Sequence, residues 1–297
     1  MQSALYLLCF VSRGRACAAL AALLAGLGIC LSGDVLSPGK GCVPPIYTDK
    51  ETMMRLIRYG LLLSLVAPAM AEEALKAYNT YQSQPFVVGQ GGLAADVVSY
   101  LNGKLKGRYQ FTLSTVPRER LNSTVINDPK FKGVVLFMSP QFVGDADKTR
   151  FRWSAVLMED ANGVLSHPAK KIEYVNPDTL KGKRFAGILG NKYAGLEERF
   201  GKDIYRDDVA TELANLQKVA SGRSDVTIMS QSMYRYLIKH NGLDGKLHVS
   251  ATPHISFSRH IFAAKAEDKL VTALDEVMAA SKSDPAWKAL LAKYSLN

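Results

Sequence analysis

LQKVASGRSDVTIM, residues 216–229, decides the fold, because it passes from one backbone period to another within a single short run. Leu216 and Val219 extend a stripe begun by Val209 and Leu213, spaced to cover one face of a helix. Gly222 is placed to stop that helix, and Val226 to Met229 then make the short, unbroken apolar run of a buried strand. A helix feeding such a strand through a tight turn is a unit of α/β architecture rather than of a sandwich or a bundle.

Working outward, the same alternation recurs. FAGIL (185–189) reads as a strand ending at Gly190, followed by a short helix over 193–200. Towards the N-terminus, FTLSTV (111–116), VVLFM (134–138) and WSAVLM (153–158) are three further strand candidates, and QPFVVG (84–89) reads as a strand or strand-loop. Leu93, Val97, Leu101 and Leu105 fall four apart on one helix stripe. Leu270, Leu274, Val277 and Met278 predict a closing helix, with another around residues 287–294. No repeat and no low-complexity linker interrupts the chain, so two domains here would be joined by strands that cross between them.

The first quarter of the chain reads differently. From Met53 or Met54, a basic start (Arg55, Arg58), an apolar stretch from Leu61 to Val66, and Ala69-Met70-Ala71 before Glu72 have the anatomy of a secretory signal peptide. Residues 53–71 are therefore expected to be a signal peptide cleaved after Ala71, and residues 1–52 an upstream extension from a misassigned start. The alternative is an N-terminal anchor, since residues 16–32 are nearly long enough to span a bilayer. All four cysteines (Cys9, Cys17, Cys30, Cys42) lie before Met53. The exported part is thus expected to hold no disulfide, no thiol nucleophile and no cysteine metal site. With six basic and three acidic residues ahead of Glu72, the chain's formal +10 becomes +7 for the remainder. Those charges are scattered singly, which speaks for a solvated surface rather than a nucleic-acid face.

Motifs for chemistry are sparse. Gly89-Gln90-Gly91-Gly92-Leu93-Ala94 matches GxGxxA, but no acidic residue follows at the spacing a dinucleotide site needs and Pro85 interrupts the preceding strand. A glycine loop that opens a helix with its N–H groups free for a ligand is the expectation. His167, His240, His248, His254 and His260 form no metal-ligand spacing, and neither a GxSxG elbow nor a P-loop is present. No cofactor or metal is expected. Arg150 and Arg152 flank Phe151 at the entry to a strand and are suited to a bidentate grip on a carboxylate. Ser139 and Ser230 stand at the carboxyl ends of the VVLFM and VTIM runs, where open α/β sheets bind ligands.

In their order, these parts resemble the family 3 extracellular solute-binding proteins of the amino-acid-binding type. The resemblance rests on the Tyr81 to Phe86 aromatic-Pro-Phe loop followed by GGLAADVV with Asp96, on LKGKRFAG (180–187) with Gly190-Asn191-Lys192-Tyr193, on LQKVASGRSDV (216–226), and on the ending Lys293-Tyr294. It implies an α/β, two-lobed periplasmic binding protein type II fold with two crossover strands. Lobe 1 would comprise residues 72–159 and 262–297, and lobe 2 residues 160–261. A solute would bind in the interlobe cleft at Tyr81, Phe86, Ser139, Asn191, Lys192, Tyr193 and Ser230, with Arg150 or Arg152 on a carboxylate and hinge closure burying it. Ser230 stands where amino-acid binders usually carry an acid for the ligand's ammonium, so the implied solute is small and polar or carboxylate-bearing. The expectation is a periplasmic monomer that delivers its ligand to an inner-membrane ABC transporter or a sensor, with no catalytic residue and no nucleic-acid partner. The enzymatic alternative is a cyclohexadienyl dehydratase-like lyase on the same scaffold, for which Glu159 and Asp160 are the candidate acid and base.

Overall fold

A computed structural model describes residues 72–128, 130–203 and 205–296. The segments expected to be a signal peptide and an upstream extension, and all four cysteines, lie outside the described residues. The first strand, β1 (Glu73–Asn79), was not legible as a strand, because Glu73 and Lys76 dilute its alternation. The segment expected as a strand or strand-loop, residues 84–89, is a sequence of turns joined by a bridge between Val88 and Gly91. Helix α1 (Leu93–Lys104) follows, with Leu93, Val97 and Leu101 buried as their spacing requires. Asp96 in its first turn and Lys104 in its last suit the helix dipole. Asp96 also accepts bonds from Lys293 Nζ at 2.6 Å and the Tyr294 hydroxyl at 2.8 Å, which pins the C-terminus to this helix.

Strands β2 (Tyr109–Thr115) and β3 (Val134–Met138) fall where their β-rich runs predict. WSAVLM does not form one strand. The chain makes β4 (Phe151–Trp153), steps outward at Ala155 and Val156, and resumes as β5 (Met158–Ser166). Strand β6 (Arg184–Ala186) ends sooner than expected, and β7 (Tyr205–Arg206) pairs beside it. Helix α2 (Glu212–Ala220) leads into β8 (Val226–Ser230), and α3 (Gln231–His240), not anticipated from the sequence, follows at once. After β9 (His248–Val249) comes the long β10 (Ile255–Ala264), and α4 (Asp268–Ser281) and α5 (Pro285–Lys293) close the chain.

The sheet order β2-β1-β3-β10-β5-β8-β6-β7 contains one motif twice. In the first half β1 lies parallel to β2 and β3, with β10 antiparallel at β3. In the second β6 lies parallel to β7 and β8, with β5 antiparallel at β8. The fold is therefore α/β and two-lobed. Strand β10 belongs to both halves: its first residues, Ile255 to Arg259, pair with β5, and its later ones pair with β3 and β4. Between the ladders the crossover strands stay joined, Ser154 N donating to Ile261 O at 2.8 Å and Leu157 N to Arg259 O at 2.8 Å.

The loop that opens α1 corrects one expectation. The N–H groups of Leu93 and Ala94 are not free for a ligand; they donate to the carbonyls of Pro85 and Phe86 at 2.9 and 3.1 Å. Gly92 makes this closure feasible, with φ +119° and a position where a Cβ would stand 2.6 Å from Phe86 O. Gly89, at φ +56°, has open space around it. Gly92→Ala is accordingly expected to cost roughly 2–4 kcal/mol in urea unfolding and Gly89→Ala about 1 kcal/mol. Equal unfolding midpoints for the two variants would contradict this account of the loop.

Candidate functional site

An open α/β sheet with strand order 2-1-3 binds ligands beyond the carboxyl ends of its first and third strands, where the connections diverge. Here that rule selects four chain segments. In the first half they are the Asn79 to Phe86 loop after β1 and the turn from Ser139 after β3; in the second they are the 187–193 loop after β6 and Ser230 to Ser232 after β8.

In the first half, Asn79 organises the approach. Its Oδ1 accepts from Tyr81 N at 3.0 Å and its Nδ2 donates to Tyr81 O at 2.8 Å, curling the chain so that Tyr81 stacks on Phe86, 4.6 Å between centroids. Phe86 in turn meets the edge of Phe137 at 5.0 Å. Arg118, just beyond β2, was not singled out from the sequence. It is half-buried, donates to Asn122 Oδ1 at 3.1 Å and to the Phe142 carbonyl, and contacts Met138 Sδ at 3.6 Å. No carboxylate pairs with it among the described residues. Burial pulls its pKa below the usual guanidinium value, with its electrostatic interaction with Tyr81 opposing.

The two halves meet at Asp160 and Arg259, on the facing crossover strands. Arg259 Nε lies 2.7 Å from Asp160 Oδ2, with the two side chains 2% and 1% exposed. Asp160 also accepts from Ser232 Oγ at 2.7 Å, Ser232 N at 3.1 Å and Ala161 N at 2.8 Å, so the N-terminus of α3 is held against the carboxylate. On the other side Arg259 Nη1 donates to the Phe137 carbonyl at 2.9 Å. Ser230, at the N-cap position of α3, reaches this group through a 3.2 Å contact with Ser232 Oγ.

The 187–193 loop is built by Arg206. Its guanidinium bonds Asp208, Glu197 and the carbonyls of Ile188 and Asn191, all between 2.9 and 3.2 Å, and lies 5.3 Å from the ring of Tyr193. Gly187 permits the knot, since a Cβ there would stand 2.4 Å from Asp208 Oδ1. Tyr193 is turned inward, its hydroxyl accepting from Ile188 N at 3.0 Å and its ring against Phe185, whereas Asn191 and Lys192 remain exposed.

The sequence-derived residues thus divide. Tyr81, Phe86 and Ser230 converge on the Asp160–Arg259 pair, and Ser139, buried, follows Phe137 by two residues. Arg150 is directed elsewhere: it donates to the carbonyls of Val143 and Ile126 at 3.0 and 3.2 Å. Arg152 pairs with Asp268 at 2.7 Å on the outer side of β4. Of the candidate acids of the enzymatic alternative, Asp160 is fully engaged, and exposed Glu159 accepts one bond, from Ser258 Oγ at 2.7 Å. Among the described residues no group of three His, Cys, Asp or Glu side chains is placed to hold a metal ion. Two surface concavities, about 510 and 390 Å³, border α3 with α5 and α1 with α5, away from the strand ends.

Solved structures carry the same fold. A mutant of ArgBP from T. maritima superposes with a TM-score of 0.56 at 16% identity, over 75% of this chain and 96% of that one. The GluR0 ligand-binding core from Nostoc punctiforme, in complex with (L)-glutamate, gives 0.57 at 14% identity, over 74% and 98%. AbpA, an amino acid ABC transporter substrate-binding protein from Streptococcus pneumoniae bound to L-arginine, gives 0.56 at 14% identity, over 75% and 96%. No protein-family model and no curated protein matches the chain. At these identities the likeness concerns the fold: this chain has the two-lobed architecture of periplasmic binding proteins.

One further group stands near the 187–193 loop. Glu212, first residue of α2, is largely buried, and its Oε2 has no hydrogen-bond partner among the described residues. Burial pushes its carboxyl up to about 7. Because the folded state then holds the proton more tightly than an unfolded glutamate at 4.5, the associated stability is complete below that value and is lost as pH rises through about 7. Glu212→Gln is expected to flatten this decline and to gain roughly 1–3 kcal/mol over the parent at about pH 8. Parallel pH–stability curves for the two proteins would refute the assignment.

Proposed function

We propose that this chain binds a small polar or carboxylate-bearing solute in the cleft between its lobes and delivers it, outside the cytoplasm, to an ABC transporter or a sensor. The lobes are residues 72–159 with 262–297, and residues 160–261, and the protein works as a monomer. The observation that carries the reading is the convergence of strand ends from both halves on one interlobe cluster, with the aromatic Tyr81–Phe86 loop on one side and Ser230 to Ser232 on the other. The amino-acid-binding neighbours of like fold support the same class of ligand.

Within the cleft, Tyr81, Phe86, Ser139 and Ser230 line the solute's path, and Asn191, Lys192 and Tyr193 present the rim of the second lobe. Arg118 takes the part expected of Arg150 or Arg152. It is half-buried, lies within electrostatic reach of Tyr81 and has no carboxylate of its own, which is the condition in which a guanidinium gains most from an arriving anion. Arg150, spent on two carbonyls, and Arg152, paired with Asp268, have less to gain. The lyase alternative would have to rely on exposed Glu159, since Asp160 is fully engaged.

A thermal-shift screen of amino acids, organic acids and polyamines is expected to yield an anionic or zwitterionic hit that is recovered unchanged. Calorimetry with Arg118→Met should then show about 10–100-fold weaker binding of that hit, the usual worth of a charge-assisted hydrogen bond, and Arg152→Met little change. A screen without any hit would sink the solute-binding reading, and a consumed hit would turn it towards an enzyme.

A further inference from the structure

Arg259 sits where an external cation would be expected. Its guanidinium carbon lies 4.5 Å from the ring centroid of Tyr81, 5.2 Å from Phe86 and 5.1 Å from Phe257. Aromatic faces at such distances are how binding sites hold ammonium and guanidinium ligands. Recognition of a guanidinium further asks for a buried carboxylate and a carbonyl acceptor in the plane of its N–H groups. Asp160 Oδ2 at 2.7 Å and Phe137 O at 2.9 Å supply both.

The backbone is shaped for this contact. Phe137 has φ +61°, a left-handed conformation that a bulky residue rarely holds. It stands at a bulge, where Leu136 and Phe137 of β3 face the single Ile261 of β10. A regular ladder would not leave the Phe137 carbonyl to a side chain. Every component of a guanidinium subsite is therefore assembled at the interlobe cluster, and its occupant is covalently part of the chain.

We propose that Arg259 is a tethered occupant of a guanidinium subsite and determines specificity by excluding free cationic solutes from it. The cleft is left to solutes that are neutral or anionic where they meet Tyr81 and Phe257. This last clause rests on the solute-binding reading, whereas the occupied subsite stands without it.

The test is a thermal-shift titration of the parent protein and Arg259→Ala with methylguanidinium, ethylguanidinium, L-arginine and, as control, sodium chloride at equal ionic strength. The parent is expected to show no shift beyond the control with any of the three. Arg259→Ala should be stabilised by ethylguanidinium, with an apparent affinity at least about tenfold above that of the parent, the side chain's own head group being returned to its place. Losing one partner of a buried ion pair is strongly destabilising, so the variant is also refolded with and without ethylguanidinium, and folding only in its presence is a supporting result. A parent protein stabilised by L-arginine or methylguanidinium overturns the proposal, as does a variant that ethylguanidinium neither stabilises nor helps to refold. A failed solute screen alongside a successful rescue would remove the transport reading and leave the occupied subsite intact.

Discussion

A guanidinium and a carboxylate, each almost wholly withdrawn from water, cannot be left apart, and Asp160 and Arg259 meet this constraint at the one place where both lobes share strands. Satisfying them recruits groups from both sides. Asp160 takes the Ser232 N–H in the first turn of α3 and the Ser232 hydroxyl from the second lobe, while Arg259 takes the Phe137 carbonyl and the faces of Tyr81 and Phe86 from the first. The crossover is thus a polar joint inside an apolar wall, and its geometry sets which side chains the cleft can offer.

The joint explains a local irregularity that would otherwise be a defect. A phenylalanine in the left-handed region costs on the order of 1–2 kcal/mol, and a bulge in the antiparallel pairing of buried β3 with β10 interrupts that ladder. Both are tolerated at Phe137 because they turn a carbonyl towards a buried donor that would have no other acceptor at that point. The loop of the second lobe follows the same logic on a smaller scale. Arg206 ties together Asp208, Glu197 and two backbone carbonyls, so exposed Asn191 and Lys192 are carried on a braced segment.

What could be read from the sequence tracks how local the cause is. VVLFM and VTIM are legible because a strand buried on both faces is apolar throughout, and α1 because its leucines and valine repeat every four residues. Strand β1 was hidden by exposed Glu73 and Lys76, which fall on opposite faces and so interrupt the apolar pattern of both. WSAVLM has the composition of a strand, yet the crossover has to step outward at Ala155 and Val156 between its two ladders, a demand set by the partner strand a hundred residues away. The surroundings of the arginines were out of reach for the same reason. Arg150 and Arg152 had the better local context, but only tertiary structure shows them engaged by carbonyls and Asp268. Arg259, within the otherwise apolar strand ISFSRHIFAA, carried the one available signal, a charged residue where burial is expected.

The charge balance of the cluster bears on what the cleft admits. Arg118 and Arg259 both act on Tyr81, and Asp160 neutralises only the second. Because the two charges of the pair offset each other at 2.7 Å, it contributes little field to the cleft beyond it, and the guanidinium of Arg118, with no carboxylate beside it, sets the local sign. In surroundings of reduced dielectric that excess is worth more than the same charge on an open surface. A solute bringing a carboxylate would relieve it and a second cation would aggravate it. On the proposed reading, Arg118 and the occupied subsite act in one direction, the first attracting an anion and the second refusing a cation.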